Sequence, residues 1–160
     1  MCPNFRALIA ADRPLLRRAT LANMNWSGPH FSAGDVDASD EINHYFRDFP
    51  GGRDIGLADV EGDTVRAVAW LVFLPADSPG YGFGDADTPE LSITTFDGFR
   101  GQGVGTALLG ALVEAAKARG VRAISLSVED GNRARHLYER TGFTVVGRNG
   151  GSDTMLLTLH

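Results

Sequence analysis

The clearest candidate for chemistry in this chain is a glycine-rich junction at residues 100–106. It separates a strand-like run at 91–96 from a long amphipathic segment at about 104–119. The first N–H groups of a helix have no partners within the helix, and the helix dipole places about half a positive charge beside them. Glycines at alternate positions, Gly101, Gly103 and Gly105, leave those donors uncovered by side chains. The spacing therefore predicts an anion site, with a phosphorylated ligand as the expected occupant.

Two well-known phosphate-binding loops do not fit this junction. A P-loop requires GxxxxGK[ST], but Thr106 and Ala107 follow Gly105 where that pattern has a lysine and a hydroxyl residue. The dinucleotide fingerprint is GxGxxG, whereas the glycines here alternate as GxGxG. The spacing by itself leaves one further alternative open, in which the glycines only permit a tight turn from strand to helix.

Length and composition restrict the class of protein. A chain of 160 residues with 43% hydrophobic residues fits one globular domain, which we predict to span 1–160. The net charge of −5, without dense basic runs, argues against a nucleic-acid partner. Four histidines without metal-ligand spacing predict no metal site, and no run approaches the roughly 20 apolar residues of a membrane span. With one cysteine and no apolar N-terminal region, we expect a cytoplasmic protein that does not associate with membranes.

Hydrophobic periodicity and turn residues predict the elements that position the junction. An apolar side chain recurs every three or four positions in 104–119, and Gly120 is placed to end that helix. A first helix begins after Asp12, and a second is predicted at 39–49 from the helical spacing of Ile42, Tyr45, Phe46 and Phe49. Strands are predicted at 5–10, 54–60, 64–74, 91–96, 123–128, 144–148 and 154–159, with another helix at 132–140. This order predicts an α+β domain with a largely antiparallel sheet.

Three segments of the chain resemble one family. The spacing Arg100-x-x-Gly103-x-Gly105 resembles the [QR]-x-x-G-x-[GA] signature of the GNAT superfamily, the acetyl-CoA-dependent N-acetyltransferases. The run ELSITTF at 90–96 is similar to the central strand of that family, and LYERTGF at 137–143 is similar to its LYxxxGF segment. The resemblance implies a GNAT-like mixed, largely antiparallel sheet of six to seven strands flanked by about four helices. It also implies acetyl-CoA as co-substrate.

The resemblance assigns the cofactor contacts residue by residue. Main-chain N–H groups of the junction should bind the pyrophosphate of coenzyme A. These groups belong to Gly101, Gln102, Gly103, Val104, Gly105 and Thr106. Main-chain atoms of Ile93, Thr94 and Thr95 should bind the pantetheine arm as an added strand would, with ordinary pairing within the sheet as the alternative. Arg100 pairs with a phosphate or covers the loop as a solvated side chain. Asn132 contacts the cofactor or caps the following helix.

The resemblance also gives candidate catalytic residues. Tyr138, in the LYxxxGF segment, should donate a proton or hydrogen bond to the departing thiolate as general acid, with simple packing as the alternative. Glu90 is the first candidate for the general base that deprotonates the acceptor amine, with a solvated glutamate at a strand end as the alternative. Asp85 and Asp87 are weaker candidates, and some relatives rely on water. Because no cysteine is placed as nucleophile, we expect direct attack by the amine.

The acceptor is not determined by the sequence. Trp26, His30, Tyr81 and Phe83 lie in segments that flank the acceptor cleft of the family. A small-molecule amine is favoured over a peptide amine, and the acidic net charge favours small or cationic acceptors. A homodimer is common in the family, although no interface can be predicted here. A non-catalytic module that binds an acyl-CoA is the alternative function.

Overall fold

A seven-stranded sheet with helices on both faces forms the framework of the protein. The computed structural model describes residues 4–75, 77, 79–81 and 85–159. The strands are β1 (Phe5–Ala7), β2 (Ile55–Glu61), β3 (Thr64–Val72), β4 (Glu90–Thr95), β5 (Ala123–Glu129), β6 (Thr144–Asn149) and β7 (Ser152–Thr158). The helices are α1 (Arg13–Met24), α2 (Ala33–Ala38), α3 (Asp40–Asn43), α4 (Val104–Ala118) and α5 (Ala134–Thr141). None of these helices combines the length and the apolar character needed to span a bilayer.

The strands are arranged in the order β1-β2-β3-β4-β5-β7-β6. Every neighbouring pair is antiparallel except β4 and β5, which run parallel. The predicted fold class, an α+β protein with a largely antiparallel sheet of six to seven strands, is confirmed. The described residues contain five helices rather than about four, because the region before β2 forms two short helices.

Strands β4 and β5 separate shortly after they meet. Their register has a single pair, Glu90 opposite Ser125, and the N–H of Ser125 donates to the carbonyl of Pro89 at 3.0 Å. On its other edge, β4 pairs with β3 along its whole length, from Glu90 opposite Val72 to Thr95 opposite Ala67. The edge of β4 that faces β5 is therefore open beyond Glu90, and the two strands enclose a gap.

Two apolar clusters hold the sheet between its helical layers. On one face α4 and α5 cover the strands, and Leu108, Leu109 and Leu112 of α4 are fully buried there. On the other face α1 and the region from α2 to residue 49 pack around Trp70, which is also fully buried. Burial of one such side chain contributes about 1.5–3 kcal/mol to stability. The start of α4 and the open edge of β4 are therefore set on a rigid framework.

The predicted helix at 39–49 is wrong in its bounds. Ser32 caps a helix that starts at Ala33: its side chain accepts the N–H of Asp35, whose carboxylate accepts the N–H of Ser32. The backbone is extended at Ser39 (φ −111°, ψ 111°), which separates α2 from α3, and turns follow after Asn43. The four residues that suggested a long helix are nevertheless all buried. Their spacing identified the buried side chains, while the local cap determined the hydrogen bonding.

Candidate functional site

The glycine junction forms the start of α4, as its sequence predicts. Gly103 is the N-cap residue, and both Gly101 and Gly103 have φ of 77°, a conformation that strains any residue with a Cβ. A Cβ added to either glycine would have no contacting atom within 4 Å. The main chain here is therefore uncovered, and the first-turn N–H groups of Val104, Gly105 and Thr106 have no helical acceptors. Val104 itself is buried, so only its main chain is available to a ligand.

Gly105 has a different role from the other two glycines. A Cβ at this position would lie 3.1 Å from Oγ1 of Thr95 and 3.7 Å from Cδ2 of Leu137. Its lack of a side chain allows α4 to approach both β4 and α5 closely. The alternating spacing thus combines two exposed turn positions with one packing position.

Side chains of the junction stabilise the loop before α4. The Nε of Arg100 donates to the carbonyl of Thr95 at 3.2 Å, and its guanidinium lies 3.4 Å from Asp97. The amide of Gln102 donates to the carbonyl of Gly98 at 3.2 Å. The side chain of Arg100 is 62% exposed, so its remaining N–H groups are accessible to an anion. Arg100 therefore covers the loop, and its pairing with a phosphate stays a prediction.

The register of β3 and β4 determines which main-chain groups face the gap. The N–H of Phe96 donates to the carbonyl of Arg66 at 2.9 Å, and in an antiparallel pair only alternate residues exchange such bonds. The main chain of Thr94 consequently faces β3, whereas that of Ile93 and Thr95 faces the gap. The bond from Arg100 to the carbonyl of Thr95 agrees with this orientation.

The expected main-chain contact of Thr94 with the cofactor is not supported by this register. The Thr94 side chain is buried, and its Oγ1 lies 2.7 Å from Oδ1 of Asn23 and 3.2 Å from the carbonyl of Ala19. Thr94 therefore fixes α1 against β4. The physical reason is the two-residue alternation of a strand, which allows only every second residue to face the gap.

Tyr138 lies on α5, at the face of the sheet that α4 covers. Its ring is 9% exposed and makes an edge contact with Phe143 at 5.9 Å between centroids. Gly142, with φ of 114°, ends the helix, and the N–H of Phe143 donates to the carbonyl of Tyr138 at 3.0 Å. Burial raises the pKa of the Tyr138 phenol to about 12. The phenol is therefore protonated near neutral pH and can act as a donor.

Glu90 lies at the opposite face of the sheet, at the point where β4 and β5 part. It is 5% exposed, so the alternative of a solvated glutamate at a strand end is wrong. Its neighbours are Tyr45, which hydrogen-bonds to it, and the main chain of Gly80. A carboxylate held in a buried site beside an open strand edge is suited to proton transfer.

Ser125 completes the polar group at this point of the sheet. It is 1% exposed and lies directly opposite Glu90 in the register, so the two side chains project from the same face. Its hydroxyl oxygen is buried and has no hydrogen-bond partner among the described residues. A buried polar atom without a partner destabilises the folded state by about 1–3 kcal/mol, and such atoms are rare in native proteins.

Removal of the Ser125 hydroxyl should stabilise the ligand-free protein. We expect Ser125→Ala to increase the free energy of unfolding by about 1 kcal/mol, measured by urea denaturation, because it removes a buried group without a partner. Thr94→Val is the matched control, since it removes a buried hydroxyl that does have partners, and it should lower the same quantity by about 1 kcal/mol. Equal destabilisation by both variants would show that Ser125 has a partner in solution.

The other predicted site residues are placed as follows. Oδ1 of Asn132 accepts the N–H of Ala134 at 3.0 Å, so this side chain bonds the first N–H of α5, although the N-cap residue is Arg133. Asp85 accepts the N–H of Asp87 at 2.8 Å, and Asp87 lies 3.2 Å from Arg53. Both aspartates are exposed and organise the loop before β4. Neither resembles a buried base as closely as Glu90 does.

Residues predicted to flank the acceptor lie around the same face. Cη2 of Trp26, just after α1, would be 3.8 Å from a Cβ on Gly131, so the end of α1 meets the loop between β5 and α5. Tyr81 is 41% exposed and stacks on Tyr45 at 6.2 Å between centroids. His30 is exposed. The prediction for Phe83 lies outside the described residues.

Two residues of this site were missed by the sequence analysis. Tyr45 was interpreted only as one apolar position of a helix, and Ser125 only as part of a strand. Neither has a local sequence signal for function. The pairing of Ser125 with Glu90 depends on the neighbouring positions of β4 and β5, which are separated by all of α4 in the chain.

Comparison with known proteins identifies the family. The model of the acetyltransferase (GNAT) family matches residues 20–143, which include the end of α1, the open strand β4, the glycine junction and α5. The chain therefore belongs to the acetyltransferase (GNAT) family. The resemblance inferred from the three sequence segments is confirmed.

Individual relatives support the same assignment. The chain is 35% identical over 124 residues to a mycothiol acetyltransferase of Propionibacterium freudenreichii, covering 76% of this chain and 38% of that protein. It is 40% identical over 62 residues to an L-methionine sulfoximine/L-methionine sulfone acetyltransferase of Pseudomonas aeruginosa, covering 38% of this chain and 36% of that protein. The chain thus spans little more than a third of the length of these relatives.

The fold is shared with solved acetyltransferases. The PaiA N-acetyltransferase of Thermoplasma acidophilum, solved in complex with coenzyme A, matches with a TM-score of 0.68 and 16% identity, covering 99% of this chain and 100% of that one. At this level of identity the comparison establishes the fold.

Proposed function

We propose that this protein transfers an acetyl group from acetyl-CoA to the primary amine of a small molecule by direct nucleophilic attack. The observation that carries the proposal is the gap between β4 and β5. The gap has uncovered N–H donors of α4 at its mouth and buried polar side chains where the strands meet. Membership of the GNAT family supports this function, and the two small-molecule acetyltransferases among its relatives support the substrate class.

The residues at the mouth of the gap fit the phosphate end of coenzyme A. The positive φ values of Gly101 and Gly103 turn the chain so that successive N–H groups converge, and no side chain covers them. Gln102, Val104, Gly105 and Thr106 would contribute main-chain donors of the same cradle. Arg100, with an exposed guanidinium, would add a charge-assisted bond to a phosphate oxygen.

The open edge of β4 fits the amide-containing arm of the same molecule. Main-chain groups of Ile93 and Thr95 face the gap and would bind that arm as a neighbouring strand would. From Thr95 to Glu90 the strand spans about 17 Å. An arm laid along this edge therefore ends beside Glu90 and Ser125. Asn132 would use its amide nitrogen toward the arm, since its oxygen is occupied by the N–H of Ala134.

The chemistry of transfer would be divided between the two faces of the sheet. Acetyl-CoA supplies an activated thioester with a thiolate leaving group. Glu90 would accept a proton from the ammonium form of the acceptor, because only the neutral amine has a lone pair for attack. Tyr138, protonated and in an apolar setting, would donate to the sulfur atom as negative charge develops on it. The phenol and the carboxylate thus act on opposite sides of the reacting centre.

An assay of thiol release with a panel of amines tests this function. The panel should contain amino acids, polyamines, amino sugars and short peptides, and the acetylated product should be identified by mass spectrometry. We expect release of free coenzyme A that depends on a small-molecule amine. Calorimetric binding of acetyl-CoA without release with any amine would instead support the non-catalytic acyl-CoA-binding alternative. The same preparation, examined by light scattering, tests the homodimer that the family resemblance implies.

Replacement of Glu90 by glutamine should affect activity in a pH-dependent way. We expect Glu90→Gln to lower kcat/KM for the amine by about 100-fold at neutral pH, because the variant cannot accept a proton. The deficit should shrink as the pH approaches the pKa of the acceptor amine, where the neutral form is already abundant. Asp85→Asn is the matched control and should leave the rate unchanged. A pH-independent loss, or an equal loss in Asp85→Asn, would argue against Glu90 as base.

A further inference from the structure

Tyr45 lies outside the elements that carry the GNAT motifs, yet it is held firmly beside Glu90. Its carbonyl accepts the indole N–H of the fully buried Trp70 at 2.8 Å. Its ring stacks on that of Tyr81 with an interplanar angle of 16° and contacts the edge of His44 at 4.7 Å between centroids. Tyr45 is only 7% exposed, so its side chain has little conformational freedom. The hydroxyl is therefore presented in one position.

The hydroxyl of Tyr45 connects two parts of the site. Its oxygen accepts the N–H of Tyr81 at 2.7 Å, and it forms a side-chain hydrogen bond with Glu90. The phenol O–H donates this hydrogen bond and the carboxylate accepts it, because an ionised carboxylate has no proton to donate. Burial, followed by the charge of Glu90 and this hydrogen bond, raises the pKa of Tyr45 well above its ordinary value. Tyr45 is consequently protonated near neutral pH and can act as a donor.

Gly80 closes the group from the loop before β4. A Cβ on Gly80 would lie 2.6 Å from Oη of Tyr45 and 2.7 and 2.8 Å from the two carboxylate oxygens of Glu90. Such distances are too short for a carbon atom, so the main chain of a glycine packs directly on both groups. The phenol, the carboxylate and this main-chain segment therefore fit together as one unit.

We propose that Tyr45 is a positioning residue for the acetyl transfer: its hydroxyl holds the Glu90 carboxylate in place and in its ionised form beside the acceptor amine. This inference rests on the proposed function, in which Glu90 is the base. The bond from Tyr45 restricts the rotation of the carboxylate. A hydrogen bond to the charged form of an acid also favours that form.

Among the described residues, the ionisable groups around this pair come from several elements. His44 adjoins Tyr45, and burial, followed by the charge of Arg47, lowers its pKa. Tyr81 lies on the other side of the ring, and burial together with the charges of Glu41, Glu90 and Glu129 raises its pKa. Because these neighbours can also titrate, a carboxyl titration is assigned to Glu90 only if it is absent from Glu90→Gln.

The test is Tyr45→Phe, with Thr20→Val as the control for the loss of a buried hydroxyl. Tyr45→Phe keeps the ring but removes the donor, so we expect kcat/KM for the amine to fall by about 10- to 100-fold. The acid limb of its pH profile should move to higher pH, while KM for acetyl-CoA stays within about twofold. Thr20→Val removes a buried hydroxyl that donates within α1 to the carbonyl of Leu16 at 2.9 Å, so it should behave as the wild type.

A measurement without turnover separates this inference from the proposed function. The protein is labelled with ¹³C at the glutamate carboxyl groups, and the NMR signal of Glu90 is identified as the one that Glu90→Gln lacks. The chemical shift of this signal is then followed against pH in the wild type and in Tyr45→Phe. We expect its midpoint to lie at higher pH in Tyr45→Phe. An unchanged midpoint would overturn the positioning role of Tyr45 whether or not an acceptor is found. A shifted midpoint in a protein that acetylates no amine would support the role while contradicting the proposed function.

Discussion

Tyr138→Phe should lower the rate of the chemical step by about 100-fold, which corresponds to about 2.7 kcal/mol of transition-state stabilisation. The variant retains the ring, its edge contact with Phe143 and the helix end at Gly142, so the fold should be preserved. The loss arises because the departing thiolate no longer receives a proton or hydrogen bond. Rapid-quench measurement of a single turnover isolates this step from product release. The affinity for acetyl-CoA should change by less than about threefold.

The pH dependence of Tyr138 provides a second check of its role. Because burial raises its pKa to about 12, the phenol should remain protonated through the accessible pH range. The wild type should therefore show no loss of rate from ionisation of Tyr138 below about pH 11. An unchanged single-turnover rate in Tyr138→Phe would remove this residue from the mechanism and leave it a packing role.

Gly103→Leu should abolish binding of acetyl-CoA. The leucine side chain would occupy the open space in front of the first-turn N–H groups, where a Cβ at this position meets no other atom. The positive φ of 77° adds about 1–2 kcal/mol of backbone strain in the folded state. Isothermal titration calorimetry should show no heat of binding at concentrations that saturate the wild type.

The other end of the same helix offers a matched control for strain. Gly120 has φ of 79°, and a Cβ there would also meet no atom within 4 Å. It lies about 22 Å along α4 from the junction. Gly120→Leu should therefore lose similar stability but retain acetyl-CoA binding. Loss of binding in both variants would attribute the effect to destabilisation, and retained binding in Gly103→Leu would place the phosphates elsewhere.

Much of the framework could be predicted because its signals are local. Apolar side chains spaced along 104–119 predicted α4, which the structure places at Val104–Ala118. Periodicity and turn residues predicted seven strands, although the first, predicted at 5–10, ends at Ala7 because a turn of 3-10 helix starts at Ala10. The region before β2 was harder to predict. The capping box at Ser32 and Asp35 starts a helix earlier than the apolar spacing suggested, and Ser39 interrupts it. Apolar spacing reports which side chains are buried and carries less information on helix ends.

The candidate site also has parts that local sequence predicts and parts that it does not. The glycine junction and the helix end around Tyr138 are short segments whose geometry depends on nearby residues, so their backbone geometry could be predicted from the local sequence. Thr94 could not be separated from its neighbours, because the face of a main-chain group depends on the register with β3. Contact of Tyr45 and Gly80 with Glu90 depends on the packing of three separate segments against one strand end. No local pattern encodes such a contact.

The most direct test of direct acetyl transfer is the initial rate of thiol release with acetyl-CoA and the acceptor amine varied together. If both substrates occupy the gap at once, the double-reciprocal plots should form intersecting lines, and no thiol should be released without the amine. Parallel lines would contradict direct attack, because they indicate an acetylated enzyme as intermediate. The absence of release with every amine would contradict the transferase function itself.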